Sequence, residues 1–259
     1  MKLLVCVKQV MESGSIIQIN DSKKWIDHLA SNRFEMNKFD AYAVEEALLI
    51  KEQFPDSRID IITVGPDHAK ETLRRALGMG ADEGILLADN HKGYRPPFRT
   101  ATWIAAYARD KDYDLILTGI MSEDEMNGQT GPMLAEILLV PCCTGTIRET
   151  LSPDKKTVSV EREIEGGARD MFDIKLPCVL TLQTGINSPR YPALSKVLRA
   201  KKKKMNVIDV NFLEKNKQTL TLKNIQHPKK TRKGILLNGT TEDKVDQLMD
   251  ILSKKALLQ

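Results

Sequence analysis

The feature that most constrains this chain is the alternation, over residues 1–140, of short apolar runs with stretches of helical period. The runs cover residues 2–7, 59–64, 84–87 and 115–117. A run apolar at almost every position suits a strand buried on both faces, which needs helices on either side of the sheet. Strand, crossover helix, strand is the pattern of a parallel sheet. Between the runs, Ala43, Val44, Ala47 and Leu48 share one helix face, with Asp40 as the expected cap. Ala69, Leu73, Ala76 and Leu77 share another, with Asp67 as cap and an end at Gly78 and Gly80, where glycine suits a left-handed C-cap. A third helix is expected over 99–109, with Ile104, Ala105 and Ala108 inward.

After Pro141 the period changes. Residues 158–163 alternate, Glu165-Gly166-Gly167 interrupts, and 171–175 alternate again, which predicts an antiparallel hairpin followed by an apolar strand over 178–182. Residues 186–233 lose periodicity and are expected to form an extended arm. A last helix is expected from about Thr241, with Val245, Leu248, Met249 and Leu252 on one face and Thr240 and Asp243 at capping-box spacing. A polar arm ending in a lone amphipathic helix calls for a partner surface.

At 259 residues the chain is long enough for one sizeable α/β domain with a tail. No apolar run reaches bilayer-crossing length, and the opening MKLLVCVKQV lacks the layout of a cleavable signal. A protein not embedded in a membrane is expected, cytoplasmic or, if eukaryotic, in the mitochondrial matrix. Cys6, Cys142, Cys143 and Cys178 show no C-x-x-C spacing and are expected as reduced core thiols. His28, His68, His91 and His227 are scattered, so surface or helix-end positions and no metal are expected. The formal charge of +4 hides a split: residues 190–233 carry 14 Lys or Arg against 2 Asp or Glu, leaving 25 against 33 elsewhere. Such a split suits nucleic acid, a membrane surface or an acidic protein partner. The acidic body, and a lysine run at 201–204 with no aromatic platform, disfavour nucleic acid.

The loop after the fourth run, from Gly119 to Pro132, sits where ligands bind in open parallel sheets, beyond the carboxyl ends of the strands. Pro132 is expected as the first helical residue with Thr130 or Gly131 as cap, and Asn127, Gly128 and Gly131 let the backbone curl around a phosphate. An ordinary strand-to-helix loop fits the spacing equally well, and neither a Walker A nor a G-x-G-x-x-G motif decides between them. Glu123, Asp124 and Glu125 would repel a phosphate if turned inward; solvent, a ribose hydroxyl or a partner is expected instead. Two weaker candidates, residues 36–40 and Thr63-Val64-Gly65-Pro66, fall on the same sheet edge if the sheet is parallel. No serine elbow and no Cys–His–Asp order stands out, so an enzyme is not expected.

Several segments together carry a family resemblance. They are Val7-Lys8-Gln9-Val10, Met36-Asn37-Lys38-Phe39-Asp40 running into Ala43-Val44-Glu45-Glu46-Ala47, Gly65-Pro66, and Ala76 to Asp82. The most specific are Val160-Glu-Arg-Glu-Ile-Glu-Gly-Gly and Lys175-Leu-Pro-Cys-Val-Leu-Thr, then Asn187-Ser-Pro-Arg-Tyr-Pro-Ala-Leu and Arg199-Ala-Lys-Lys-Lys-Lys. Over residues 1–205 the chain resembles the beta subunit of electron-transfer flavoproteins.

The resemblance implies a Rossmann-like α/β parallel sheet of the adenine nucleotide alpha-hydrolase-like type, with an antiparallel hairpin and an extended C-terminal arm. It implies a nucleotide-binding domain over 1–185, and over 186–259 a recognition loop, a basic arm and a helix that docks on an alpha subunit. The implied function is an electron carrier rather than an enzyme, moving electrons from acyl-CoA dehydrogenase-type donors to a quinone oxidoreductase or other acceptor. FAD is then held mainly by the alpha subunit and AMP by this one; in electron-bifurcating members a second FAD takes the AMP site. A stand-alone nucleotide-binding regulator of the universal-stress type is the competing reading. Carried over by position, the nucleotide-binding residues are Cys6, Asn37, Lys38, Phe39, Asp40, Val64, Gly119, Ile120, Met121, Ser122, Glu123, Asp124, Glu125, Met126, Asn127, Gly128, Gln129 and Thr130. Ser122, Glu123 and Met126 depart from residues common in the family. Pro189, Arg190, Tyr191 and Leu194 fall in the recognition loop, Leu194 as the anchor in a dehydrogenase pocket or else packed under the arm. Glu161, Arg162 and Glu163 precede a turn that in the family lies near the flavin side of the subunit interface, and an ordinary exposed strand fits them equally well.

Overall fold

Leu3, Val5 and Val7 point to one side of the first strand and Leu4 and Cys6 to the other, and all five are buried. The same division recurs along the sheet, with Leu115 and Leu117 opposed to Ile116, and Cys178 and Leu180 to Val179. This is the period of two of a strand covered on both faces. The computed structural model describes residues 1–27, 29–213, 220–229 and 234–255. The expectation for His28 and part of that for the basic arm lie outside the described residues.

The strands are β1 (Lys2–Cys6), β2 (Arg58–Gly65), β3 (Glu83–Ala88), β4 (Leu115–Gly119), β5 (Cys142–Leu151), β6 (Thr157–Glu163), β7 (Arg169–Lys175), β8 (Cys178–Leu182) and β9 (Asn206–Asp209). They form one sheet in the order β7-β6-β5-β8-β4-β1-β2-β3-β9. From β5 to β9 neighbours are parallel, and β6 runs antiparallel to both β5 and β7. The helices are α1 (Lys38–Gln53), α2 (Lys70–Met79), α3 (Pro97–Ala108), α4 (Thr130–Leu138), α5 (Leu194–Lys202) and α6 (Thr241–Lys254). Residues of α1, α2 and α5 share one buried cluster, and residues of α3 and α4 share the other. Two small ribbons, Gln9–Met11 with Phe34–Met36 and Gln18–Ile19 with Ile26–Asp27, fill the excursion between β1 and α1.

The chain divides into two compact units, Met1–Ile225 and Gln226–Gln259. In the second, α6 has the expected capping box: the Thr240 N–H donates to Asp243 Oδ2 at 2.9 Å, and the Asp243 N–H to Thr240 Oγ1 at 3.2 Å.

Several helix starts differ from the expectation. Helix α1 begins at Lys38 with Asn37 in the cap position, so Asp40 lies inside its first turn, buried. Asp67 opens a 3-10 turn, Asp67–Ala69, ahead of α2. Of the two glycines at the end of α2, Gly78 is helical and Gly80 is the cap, at φ 142°. Helix α3 starts at Pro97, where proline loses nothing because first-turn N–H groups have no intrahelical partner. Residues 186–233 are not aperiodic throughout: α5 packs on α2 at Gly78, and β9 extends the sheet beside β3. Among lysines, the short α5 buries Ala200, with Val197 half-buried, too little to stand out as a helical period. Leading out of α4, β5 was not anticipated, and it exposes Cys142 rather than burying it, while Cys6, Cys143 and Cys178 are buried; all four are free thiols.

Glu46 of α1 and Glu149 of β5 meet where the sheet packs on that helix, and each carboxyl is pushed up, first by burial. Glu149 is raised to about 8. The folded chain therefore keeps a proton that the unfolded chain releases near the ordinary value of 4.5. Stability from this pair is complete below about pH 4.5 and is lost as pH rises towards about 8. Glu149→Gln should flatten that decline and raise the melting temperature by a few degrees at pH 8. Thermal melts from pH 5 to 9 check it; a decline as steep as in the unaltered chain would assign the pH dependence to other groups.

Candidate functional site

Strands β1 and β4 pair from Leu3 with Leu115 to Cys6 with Thr118 and then part, because the chain after β1 reaches α1 on one face while β4 leads to α4 on the other. That divergence is the switch point at which open α/β sheets bind ligands. Here it opens a cleft of about 830 Å³, counting the solvent at its mouth.

Asp40 forms the floor. Its carboxylate accepts the Lys8 N–H at 2.7 Å and the Gly119 N–H at 3.1 Å, one from each diverging strand end. Burial pushes its carboxyl up to about 7, against the pull of those N–H groups. Burial likewise pushes the Cys6 thiol up, so Cys6 contributes a neutral wall rather than a thiolate.

The walls come from the β4–α4 loop, held by side chains of α1 and β1. Asn37 Nδ2 donates to the Met121 carbonyl at 2.9 Å, and the Glu123 N–H donates to Asn37 Oδ1 at 3.1 Å. The Glu123 carboxylate accepts the Lys38 N–H at 3.1 Å and pairs with Lys38 Nζ at 3.0 Å. Lys8 Nζ reaches Asp124 at 2.8 Å, Ser122 Oγ at 3.2 Å and Glu125 at 3.4 Å. The three carboxylates of the acidic run are thus all paired, two of them sharing Lys8 and one on Lys38, which leaves one net negative charge and ties the loop down. Ser122 and Glu123 both serve in this tethering.

Of the residues singled out from sequence, Cys6, Asn37, Asp40, Val64, Gly119, Ile120, Met121, Ser122, Glu125, Asn127, Gly128, Gln129 and Thr130 line the cleft together. Lys38, Phe39, Glu123, Asp124 and Met126 do not. The first four of these stand behind or beside it, and Met126 turns outward, exposed, at φ 52°. Arg95, Pro97, Thr100 and Ile104 at the start of α3 also line it and were missed. They follow β3 in a segment with no motif, and the fold alone brings them to this edge. Arg95 is held by Asp89 at 2.7 Å.

Helix α4 points its first turn into the cleft, with Gln129 as cap and Pro132 as its third residue, not its first. The N–H groups of Thr130 and Gly131 in that turn have no carbonyl within the helix to bond, which suits an anionic group, whereas Pro132 has none and the Met133 N–H donates to the Gln129 carbonyl at 3.0 Å. Gly128 adopts φ +62°. Gly131 is needed for a different reason than backbone freedom: a Cβ there would lie 2.5 Å from Thr181 Cγ2. Thr63 Oγ1, buried at the cleft wall, has no hydrogen-bond partner among the described residues. A backbone cradle beside an unused hydroxyl fits a ligand carrying a phosphate and polar ring or sugar atoms. No group of three or more His, Cys, Asp or Glu suited to a metal occurs among the described residues, and no helix there is long and apolar enough to cross a membrane.

The recognition-loop candidates lie away from this cleft. Arg190 pairs with Glu45 at 2.7 Å and Glu52 at 2.8 Å. Pro189 is half-buried, whereas Tyr191 is 90% and Leu194 75% exposed. Glu161 lies between Arg148 and Arg169, and Arg162 pairs with Asp170, on the hairpin of β6 and β7.

A mostly parallel sheet flanked by helices, with its crevice at the switch point, defines a Rossmann-like α/β protein. The family profile "Electron transfer flavoprotein domain" matches residues 28–213. The chain is 34% identical over 256 residues to an electron transfer flavoprotein subunit beta of Bacillus subtilis, covering 96% of this chain and 93% of the relative. It is 35% identical over 257 residues to the subunit beta of Bos taurus, covering 97% and 98%. It is 31% identical over 259 residues to the mitochondrial subunit beta of Oryza sativa subsp. japonica, covering 99% of each. The chain belongs to the electron transfer flavoprotein family, with the beta subunits.

A Cβ at Gly119 would sit 2.5 Å from Asp40 Oδ1 and 2.6 Å from Phe39 Cβ. Gly119→Ala should therefore cost about 1–3 kcal/mol, the range for overpacking a close-packed interior. Urea unfolding measures it, and a loss below about 0.5 kcal/mol, the surface-substitution scale, would mean that α1 yields at this contact.

Proposed function

We propose that this chain is one half of a heterodimeric electron-transfer flavoprotein, paired with an alpha subunit. It passes electrons from acyl-CoA dehydrogenase-type donors to a quinone oxidoreductase or another acceptor. In this reading FAD is held mainly by the alpha subunit, and the cleft of this chain holds AMP in a structural role. A flavin supplies one- and two-electron chemistry, and the protein supplies orientation and docking. The observation that carries the reading is the cleft at the switch point, built from backbone N–H groups, a buried carboxylate floor and a neutral thiol, with no activated nucleophile. The half-exposed Val245, Leu248 and Met249 on one face of α6, and Tyr191 and Leu194 at the start of α5, support partner surfaces of two kinds.

Within the cleft, Gly128 and Gly131 bring the backbone to the phosphate, the α4 N-terminus offers N–H groups, and Thr63 Oγ1 offers a hydroxyl. A second FAD in place of AMP is the bifurcating variant of the same reading. Expressed with its alpha subunit, the chain should form a one-to-one complex whose acid extract releases one FAD and one AMP by mass spectrometry. Two FAD would assign the bifurcating variant, and a chain that stays monomeric beside the alpha subunit would contradict the heterodimer. Replacing Gly131 by Val should empty the AMP site after desalting, and full retention would move the nucleotide elsewhere.

Leu194→Ala should weaken docking to the dehydrogenase by about 2 kcal/mol, the scale of an interface anchor, with the flavin retained. Stopped-flow reduction across dehydrogenase concentrations reads this directly. A concentration dependence equal to that of the unaltered protein would take Leu194 out of the interface.

A further inference from the structure

The loop from β8 to α5 leaves the sheet at Leu182 and re-enters helix at Leu194. Between Thr184 and Pro192 no backbone-to-backbone hydrogen bond holds it among the described residues. Its side-chain hydrogen bonds to the rest of the fold all go to α1, while Ile186 packs on the core and Pro192 lies beside Gly78 of α2. The Arg190 N–H donates to Glu45 Oε2 at 3.0 Å, its Nε reaches that carboxylate at 2.9 Å and its Nη2 at 2.7 Å, and its Nη1 donates to Glu52 at 2.8 Å. Asn187 Nδ2 donates to the Tyr42 carbonyl at 3.0 Å and to Glu46 at 2.7 Å. The partners lie at helical spacing along one face of α1, and the Glu45 side chain is 5% exposed.

We propose that Arg190 is a positioning residue, acting through the buried Glu45 carboxylate to hold Tyr191 and Leu194 out to solvent, and that it does not itself meet the docking partner. The inference rests on the docking reading and gives it a physical basis. Tyr191 on this loop, and Leu194 at the first residue of the helix it leads into, would lose part of their binding free energy to ordering at the moment of contact if the loop were untethered. Bidentate pairing of a guanidinium with a desolvated carboxylate removes that cost in advance, because breaking it would leave a buried charge without a counterion. With Nε, Nη1 and Nη2 each committed inside the chain and its charge paired with two glutamates, Arg190 keeps two of its five N–H donors and no unpaired charge for an acid on a partner.

The test uses the heterodimer with Arg190→Met, Arg190→Lys, Glu45→Gln and the Met/Gln double variant. Each is titrated with an acyl-CoA dehydrogenase of the same organism, and amide exchange is followed over residues 184–193. Positioning predicts that Arg190→Met and Glu45→Gln each raise the half-saturating dehydrogenase concentration about tenfold. The double variant should do no worse than either, the non-additivity of two residues in one contact. Arg190→Lys should recover only part, since one ammonium cannot bridge both oxygens. Exchange of the residue-190 amide, the loop N–H that donates to Glu45, should quicken in every variant while the rate at saturating dehydrogenase holds. Full recovery by Arg190→Lys, or normal docking in Glu45→Gln beside weakened docking in Arg190→Met, would make Arg190 a direct contact and overturn the proposal. Unchanged exchange in Arg190→Met would overturn the tether itself. Faster exchange in Arg190→Met together with normal docking in Leu194→Ala would leave the tether standing and sink the docking reading.

Discussion

Where β1 and β4 separate, the N–H groups of Lys8 and Gly119 need an acceptor, and the Asp40 carboxylate supplies it to both. A buried carboxylate is costly, and its raised proton affinity is the signature of that cost. It is tolerated because the alternative is two unpaired donors at the point where the sheet opens. Asp40 and Gly119 are mutually fitted, since any side chain on Gly119 would occupy the space of the carboxylate. The floor of the cleft follows from this contact, and the walls follow from the floor.

Helix α1 extends the same logic in both directions. At its start Asn37 and Lys38 hold the β4–α4 loop through Met121 and Glu123. Further along, Tyr42, Glu45 and Glu46 hold the loop of Arg190. One helix therefore supports both surfaces to which the proposed function assigns work, the nucleotide cleft and the exposed apolar pair. Asn37, Asp40, Glu45 and Glu46 are buried against these loops rather than solvated, and the last two stand among the least exposed charged groups of the described residues.

The charge pattern changes meaning in three dimensions. As a string, Glu123-Asp124-Glu125 argues against an anion in the neighbouring loop. In the fold Lys8 and Lys38 pair with all three carboxylates and offset two of the three charges, and the backbone N–H groups of α4 remain as the feature offered to a ligand. The basic segment after residue 190 likewise begins with a residue whose charge is spent internally, because Arg190 faces two glutamates of α1.

Period and spacing were enough for the parallel sheet, its crossover helices, the hairpin of β6 and β7 and the capping box of α6, because each is set by neighbours in sequence. Apolar runs bury on two faces, Thr240 meets Asp243 within one turn, and the strand-end loops fall on one edge once the sheet is parallel. The helix starts at Lys38 and Thr130, the strand β5, the short helix α5 and the edge strand β9 were not legible: α5 and β9 rest on α2 and β3, far away in the chain, and β5, though paired with its neighbour β6, takes its place in the sheet beside β8. Arg95 and Thr100 reach the cleft only because α3 packs across the sheet. Asp40 shows the division most plainly: its position beside a helix start reads as a cap, and tertiary structure buries it between two diverging strands, because the N–H groups left there by the parting of β1 and β4 have nothing else to bond.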